Sequence, residues 1–216
     1  GTNEWRDFAE WPPSAQSERW YLQPEGELAS TLPPASEPDH YCYDPAYPTP
    51  AVGGNSLGLE KHMGAKDNRT LEARADVLVY TSAVLEQDLE VIGPLLADLY
   101  VQSSLEYTDF FARLCVVEPS GKSINLCDGI LRLIPGNPVP QADGSLHIQI
   151  EIWPTAYHFR RGQRLRVQVS SGAHPRFARN PGSGEPLASA ITLRIAEQTL
   201  YHDPEHPSAI VLPLVK

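Results

Sequence analysis

The sequence predicts an all-β fold: an antiparallel β-sandwich with an extended Pro-rich segment at its N-terminal side. Three observations carry this. Gly (15) and Pro (21) make up a sixth of the 216 residues, against a usual share of about 12%, and so many breakers leave little room for long helices. Apolar and alternating runs recur beyond residue 70, with turn signals between them, the pattern of an antiparallel sandwich. Long connections such as 172–188 favour Greek-key or jelly-roll connectivity over a simple meander.

Residues 1–70 hold Pro12, Pro13, Pro24, Pro33, Pro34, Pro38, Pro45, Pro48 and Pro50, with Trp5, Trp11 and Trp20 between them. Proline fixes φ and removes a donor, so long ladders cannot form here. Trp at this density usually buries against a neighbouring surface. This segment is therefore expected to lie extended over a core, with one short strand at 19–23 and a polar, Gly-rich mobile loop at 53–68. From residue 71 to 216, strands are expected at 75–81, 95–101, 110–117, 123–133, 147–152, 164–169, 190–195 and 209–214. The runs Arg164-Leu165-Arg166-Val167-Gln168-Val169 and His147-Ile148-Gln149-Ile150-Glu151-Ile152 alternate strictly, which puts one face on a core and one in water. Runs 95–101 and 110–117 are apolar on both faces and should be central, or covered by another domain. Turns are marked by Glu118-Pro119-Ser120-Gly121, Pro135-Gly136-Asn137-Pro138, Ala142-Asp143-Gly144 and Arg161-Gly162. The segments 1–70 and 71–216 together read as one domain.

Composition excludes several classes. A net charge of −10 argues against nucleic acid, whose phosphates need clustered cations, and against an anionic membrane surface. No apolar run approaches the roughly 18 residues needed to span a bilayer. Gly1-Thr2-Asn3-Glu4-Trp5 has no basic n-region and no apolar h-region, so it reads as part of something longer rather than as a signal peptide. Cys42, Cys115 and Cys127 form no CxxC pair, which disfavours a disulfide scaffold and a structural zinc site. Cys115 reads as a small buried thiol, and a reducing, cytoplasmic setting is expected.

Gly54-Asn55-Ser56-Leu57-Gly58 matches the G-x-S-x-G nucleophile elbow, but the elbow needs a buried strand before the Ser and a helix after it. The preceding Pro48-Thr49-Pro50 cannot be a central strand, so no catalytic role is expected for Ser56. His202-Asp203-Pro204-Glu205-His206-Pro207 has metal-ligand residue types. Pro204 and Pro207 forbid the helix that would align His202 with His206, and a capped turn is expected instead of a metal site. Asp109, Asn125 and Asp128 read as turn or loop satisfiers. Arg176, Arg179 and Asn180 read as anchors of a long connection that must satisfy its own backbone. Asn68-Arg69-Thr70 fits a glycosylation sequon. His40, His62, His147, His158 and His174 are scattered. With no P-loop, GxGxxG or CxxC, no cofactor is expected.

An ordered set of motifs runs through the chain. It opens with Asn3-Glu4-Trp5-Arg6, Tyr43-Asp44-Pro45 and Arg74-Ala75-Asp76-Val77-Leu78. Leu89-Glu90-Val91-Ile92-Gly93-Pro94, Ile124-Asn125-Leu126-Cys127-Asp128-Gly129 and Trp153-Pro154-Thr155 follow. Pro175-Arg176-Phe177, Arg179-Asn180-Pro181 and Tyr201-His202 with His206-Pro207-Ser208 complete it. This set resembles the C-terminal non-catalytic domain of the X-Pro dipeptidyl-peptidase and cocaine esterase family of serine hydrolases, over essentially the whole chain. The resemblance implies a galactose-binding-domain-like jelly roll joined to a catalytic α/β-hydrolase domain that carries the Ser-Asp-His triad, so no catalytic residue is expected in this chain. It implies a parent that cleaves after an X-Pro dipeptide, or cleaves related esters and amides, through an acyl-enzyme. The small peptide or ester would sit where domains meet, since domain seams are common ligand sites. Leu99 and Tyr100 are then candidate walls of that pocket, and Trp5 and Trp11 candidate seam contacts. A homo-oligomer is left open. Two places depart from the pattern: Asp67-Asn68-Arg69 stands for a more usual Asp-Gln-Arg, and 133–138 for a basic, Tyr-containing strand end. The competing reading is a carbohydrate- or ligand-binding jelly roll, with Tyr157 and His158 as the nominated pair.

Overall fold

Alternating apolar residues demand a partner layer, and the chain supplies one by folding a single hydrogen-bonded path of strands over itself. The computed structural model describes residues 1–55 and 63–215. Its strands are β1 (Gln16–Leu22), β2 (Glu27–Ala29), β3 (Asp39–Tyr43), β4 (Leu78–Ser82), β5 (Leu89–Ser103), β6 (Thr108–Val117), β7 (Ser123–Leu133), β8 (Leu146–Phe159), β9 (Arg164–Ser170), β10 (Ala196–Tyr201) and β11 (Ala209–Leu214), with one short helix, α1 (Arg69–Glu72). The path runs β3-β10-β5-β11-β1-β2-β4-β9-β6-β7, and β8 pairs with β5. Short β2 is the joint: antiparallel to β1 and parallel to β4, it links two layers.

The first layer is centred on β5, the second on β6 and β9. Leu95, Ala97, Leu99 and Val101 of β5, Ile148, Ile150 and Ile152 of β8, and Ile210 and Leu212 of β11 meet Phe110, Ala112, Leu114 and Val116 of β6 and Leu165, Val167 and Val169 of β9. Each Val, Leu, Ile or Phe among them contributes about 1.5–3 kcal/mol by leaving water. At the open side of the sandwich β7 crosses β8. A Cβ on Gly129 would run into the Glu151 carbonyl, whose carbon would lie 2.9 Å away, so only hydrogen fits there.

All ten positions of β6 are buried. Its outer face is closed by two loops of the same chain, through a buried polar network. Arg113, without exposed surface, donates from Nη2 and Nε to Asp128 Oδ2 at 3.0 and 3.2 Å, and from Nη1 to Asn68 Oδ1 and the Val52 carbonyl, both at 2.7 Å. Arg176, on the 172–195 connection, donates to the other Asp128 oxygen at 2.5 Å. Asn125 Oδ1 accepts from the Lys66 amide at 2.8 Å, and its Nδ2 donates to the Gly64 carbonyl at 3.0 Å. Gly54 and Gly64 exchange backbone bonds at 2.9 and 3.1 Å. Gly54 has φ +112, and a Cβ there would meet Arg176 Cζ and Asp128 Oδ2, both at 3.2 Å. Asp109 accepts two bonds from Arg132 (2.8 and 2.6 Å) and one from Asn180 (2.7 Å).

Several sequence expectations change. Asp109, Asn125 and Asp128 are not turn satisfiers; they lie inside β6 and β7 and hold the covering loops. The loop 53–68 is pinned at both ends by this network, and Ser56 and His62 fall outside the described residues. The first 70 residues supply three strands rather than one, with β1 starting at Gln16. The strand expected at 190–195 is absent. Its apolar residues face outward, and the paired strand is β10, whose inward Gln198 hides the alternation. The pairs Arg176–Asp128, Arg179–Pro45 carbonyl (3.0 Å) and Asn180–Asp109 match the loop-anchor reading. Asn68 of the sequon is fully buried, so no glycan can be attached to it in the folded state.

Removing one partner of a buried ion pair strands the other charge, at a cost of about 3–5 kcal/mol, whereas replacing both partners by apolar groups costs less. Asp128→Leu, which leaves the fully buried Arg113 without a carboxylate, should therefore lower the unfolding free energy in urea by about that amount. Arg113→Leu with Asp128→Leu should recover part of the loss. A double variant no more stable than the single one would show that the network does not act as a charge pair.

Candidate functional site

Because successive β residues point to opposite faces, the outer face of the first layer can be read from register alone. Pro94, Leu96, Asp98 and Tyr100 of β5 form its middle row. Leu96 lies opposite Glu151 and Val211, and Tyr100 opposite His147 and Tyr201. On β1, Arg19 is opposite Val211 and Ser17 opposite Pro213. Among the described residues, no loop covers this face as the network loops cover β6. Pro94, Leu96, Trp153, Val211 and Pro213 line a hollow of about 720 Å³, and Trp153 is 59% exposed.

The N-terminal arm borders the same face. Gly93 has φ +133, and a Cβ there would sit 3.4 Å from Pro12 and 3.3 Å from Pro213, so the arm crosses where β5 breaks its register between Gly93 and Leu95. Arg6 pairs with Glu90. Trp5, Phe8 and Trp11, together with Ile92 and Tyr157, line a second hollow of about 590 Å³. Trp11 is 60% exposed and Trp5 wholly so.

A polar island sits in the middle of the face. Asp98, 3% exposed, accepts from Arg19 at 2.7 Å and Gln149 at 3.3 Å, and pairs with His147 at 2.6 Å. Burial opposes ionisation, but the bonds from Arg19, His147 and Gln149 outweigh it and hold the Asp98 carboxyl below its ordinary value. Tyr100 stacks on His147, with centroids 4.5 Å apart and planes 9° apart, and meets His206 edge-on. His206 pairs with Asp143 at 2.8 Å and Asp203 at 3.1 Å.

Placement separates the two pocket-wall candidates. Leu99 has no exposed surface and lies in the core, while Tyr100 points to the opposite face. Neighbours on one strand cannot line one pocket, so Leu99 serves the interior and only Tyr100 reaches the outer face. Trp5 buries against none of the described residues, and Trp11 keeps 60% of its surface exposed. Tyr157 is half-buried and packs edge-on against Phe159 at 4.8 Å, while His158 pairs with Asp88 at 2.9 Å. Cys115 and Cys127 are buried thiols, and burial pushes Cys115 up to about 12.

One constellation carries no signature in the sequence. Ser36 Oγ lies 3.0 Å from His202 Nδ1, and His202 Nε2 lies 3.0 Å from Asp39 Oδ2. The order of groups is that of a catalytic triad, but the surroundings are not. His202 is 1% exposed, so no acyl group can reach its imidazole. Ser36 Oγ also donates to the carbonyl of His202 itself at 3.2 Å, and Tyr80 donates to Asp39 Oδ2 at 2.6 Å. These bonds tie residues 33–39 to β10 and β4. His202 and His206 are turned to different carboxylates, as a capped turn rather than a joint ligand pair.

Comparisons with known proteins agree with this anatomy. The family model of the X-Pro dipeptidyl-peptidase C-terminal non-catalytic domain matches residues 1–211. The chain is 36% identical over 233 residues to cocaine esterase of Rhodococcus sp. (strain MB1 Bresler), covering all of this chain and 41% of that protein. Its fold superposes with TM-score 0.87 on an aminopeptidase from a marine-sediment Thaumarchaeota archaeon, at 27% identity, covering 100% of this chain and 39% of the other. An α-amino acid ester hydrolase superposes equally, at TM-score 0.87 and 26% identity, over 100% and 40% of the two chains. The chain spans about two-fifths of the length of these relatives. It belongs to the family of X-Pro dipeptidyl-peptidase C-terminal non-catalytic domains.

The polar island makes a pH-dependent contribution with a defined sign. A carboxyl held below its ordinary value of 3.8 stabilises the fold above that value and loses this contribution as pH falls through its lowered folded value. Arg19→Met should cost about 1 kcal/mol at pH 7. The difference from the parent sequence should shrink in urea titrations at successively lower pH and vanish once Asp98 is protonated. A difference independent of pH would show that Arg19 acts through packing alone.

Proposed function

We propose that this domain is the accessory sandwich of a serine hydrolase, docked through its outer β5–β8–β11–β1 face and its N-terminal arm onto the catalytic α/β-hydrolase body of the same parent chain. The observation that carries this is the asymmetry of the two layers. The outer face of β6 is sealed by the chain's own loops, while the opposite face leaves Trp153, Trp11 and Trp5 exposed beside two hollows. Contiguous exposed apolar surface rimmed by polar groups marks an interaction site.

The parent's reaction is acyl transfer from an ester or amide. The relatives named above are an esterase, an aminopeptidase and an ester hydrolase, and the family is that of X-Pro dipeptidyl-peptidases. In such chemistry a Ser nucleophile, activated by a His base, forms an acyl-enzyme that water then opens. That machinery belongs to the other body. This domain's part is to hold that body in one conformation and to narrow the route for a small peptide or ester. Tyr100, locked by stacking on His147, stands at the upper edge of the face as a rigid wall for that route. The buried free thiols fit a reducing cytoplasm.

The chain by itself, incubated with an X-Pro p-nitroanilide or an aryl ester, should show no turnover above buffer; turnover abolished by Ser56→Ala would overturn the proposal. In the full-length parent, Trp153→Asp should cost the seam about 2 kcal/mol and split a single calorimetric unfolding transition into two. An unchanged single transition would mean that Trp153 faces solvent in the parent as well.

A further inference from the structure

A second apolar surface lies at the other end of β5. The arm meets β5 near Glu90 and Ile92. Fifteen residues of strand, at about 3.3 Å each, then lead to the opposite end of the sandwich. There the β5–β6 turn, the β7–β8 loop and residues 181–195 come together. Leu105 shares a hollow of about 190 Å³ with Ile134. A Cβ on Gly182 would touch Leu105 and Arg194, and one on Gly184 would touch Tyr107. Leu187, Ile191, Leu193 and Ile195 are all exposed, Ile191 at 89%. Ile191, Leu193 and Ile195 alternate as in a buried strand, yet none of them is buried.

The strip is held rigidly. Glu185 accepts from the Thr192 amide at 2.9 Å and from Ser183 Oγ at 3.0 Å. The Arg194 amide donates to the Pro181 carbonyl at 2.8 Å. Asn180 accepts from the Gly182 amide at 3.0 Å and donates to buried Asp109 at 2.7 Å. Alternate amides are thus used internally, while those of Leu193 and Ile195 find no acceptor among the described residues. A chain that orders a segment this thoroughly and leaves its aliphatic side chains in water has already met the ordering cost of an interface.

We propose that residues 187–195 are a second docking strip for the hydrolase body of the parent chain, so that this body is gripped at both ends of β5. The inference rests on the accessory-domain reading above. Two facts select this occupant over a second copy. The domain carries a net charge of −10, so two copies repel as they approach. The relatives extend well beyond the two-fifths matched here, and a body carried on the same chain meets the strip as an intramolecular partner. The strip is also continuous with the uncovered face through Tyr100, Tyr201 and Gln102, since Tyr201 donates to Gln102 at 2.9 Å.

Hydrogen–deuterium exchange on the full-length parent tests this without any substitution. The Leu193 and Ile195 amides should exchange at least about 100-fold more slowly than in an unstructured peptide, alongside protection of the arm. Protection of the arm with free exchange at 193 and 195 overturns the strip and leaves the accessory role standing; free exchange at both overturns both. A benzophenone cross-linker placed at Thr192 identifies the occupant. An intrachain adduct to a peptide outside the matched domain supports the proposal. An interchain adduct, or none, overturns it.

Discussion

Arg113 is the residue on which the rest of the architecture turns. It lies mid-strand in β6 without exposed surface, and its guanidinium organises both loops that cross it: Asn68 and the Val52 carbonyl from one side, and Asp128, shared with Arg176, from the other. A buried guanidinium without these partners would cost several kcal/mol, so the loops cannot drift from it without destabilising the sheet. Its planar fork suits the task better than an ammonium would, because five fixed donors reach a carboxylate, an amide and a carbonyl together. Through one cation, the covering of the second layer becomes an obligate part of the fold.

From that covering follows the polarity of the molecule. A sandwich has two outer faces, and this chain lays residues 52–54, 64–68 and 176–180 over one of them. The other keeps short connections and an uncovered surface with Trp153, Leu96 and Val211 around Asp98. The apolar content of that surface does not serve the isolated domain. Its polar centre does: Asp98, fixed by Arg19 and His147, interrupts what would otherwise be a continuous aliphatic field, and a charge inside a sheet face limits promiscuous association. The face thus carries both an attraction and a selector.

Much of this was legible in the sequence, and the parts that were not share a cause. The strict alternation of 164–169 and 147–152 gave β9 and the heart of β8, and the Gly and Pro signals bounded them. The sequence also showed that 110–117 is apolar on both faces, but not that the chain's own loops cover it. Where inward positions are polar, periodicity fails. Gln198, bonded to Thr108 and Ser171 at 2.6 and 3.0 Å, conceals β10, while Ile191, Leu193 and Ile195 advertise a strand on a segment that is not paired. The same blindness made Asp109, Asn125 and Asp128 look like loop residues, because their role depends on arginines and asparagines dozens of positions away. Register, not composition, separates Leu99 from Tyr100, and it too is invisible until the strand has neighbours.

The Ser36–His202–Asp39 chain sharpens the difference between a constellation and a site. Catalysis by such a triad requires an exposed nucleophile, a base free to take its proton, and donors aimed at a developing oxyanion. Here the hydroxyl is shared with a carbonyl, the imidazole is sealed, and the carboxylate is occupied by Tyr80. Every hydrogen bond that would activate a nucleophile is used to clamp three segments together. The same groups can serve chemistry or cohesion, and burial decides which. At Ser36, His202 and Asp39 it decides for cohesion. That is the property a rigid support needs if it is to hold a hydrolytic body in place without offering a competing nucleophile of its own.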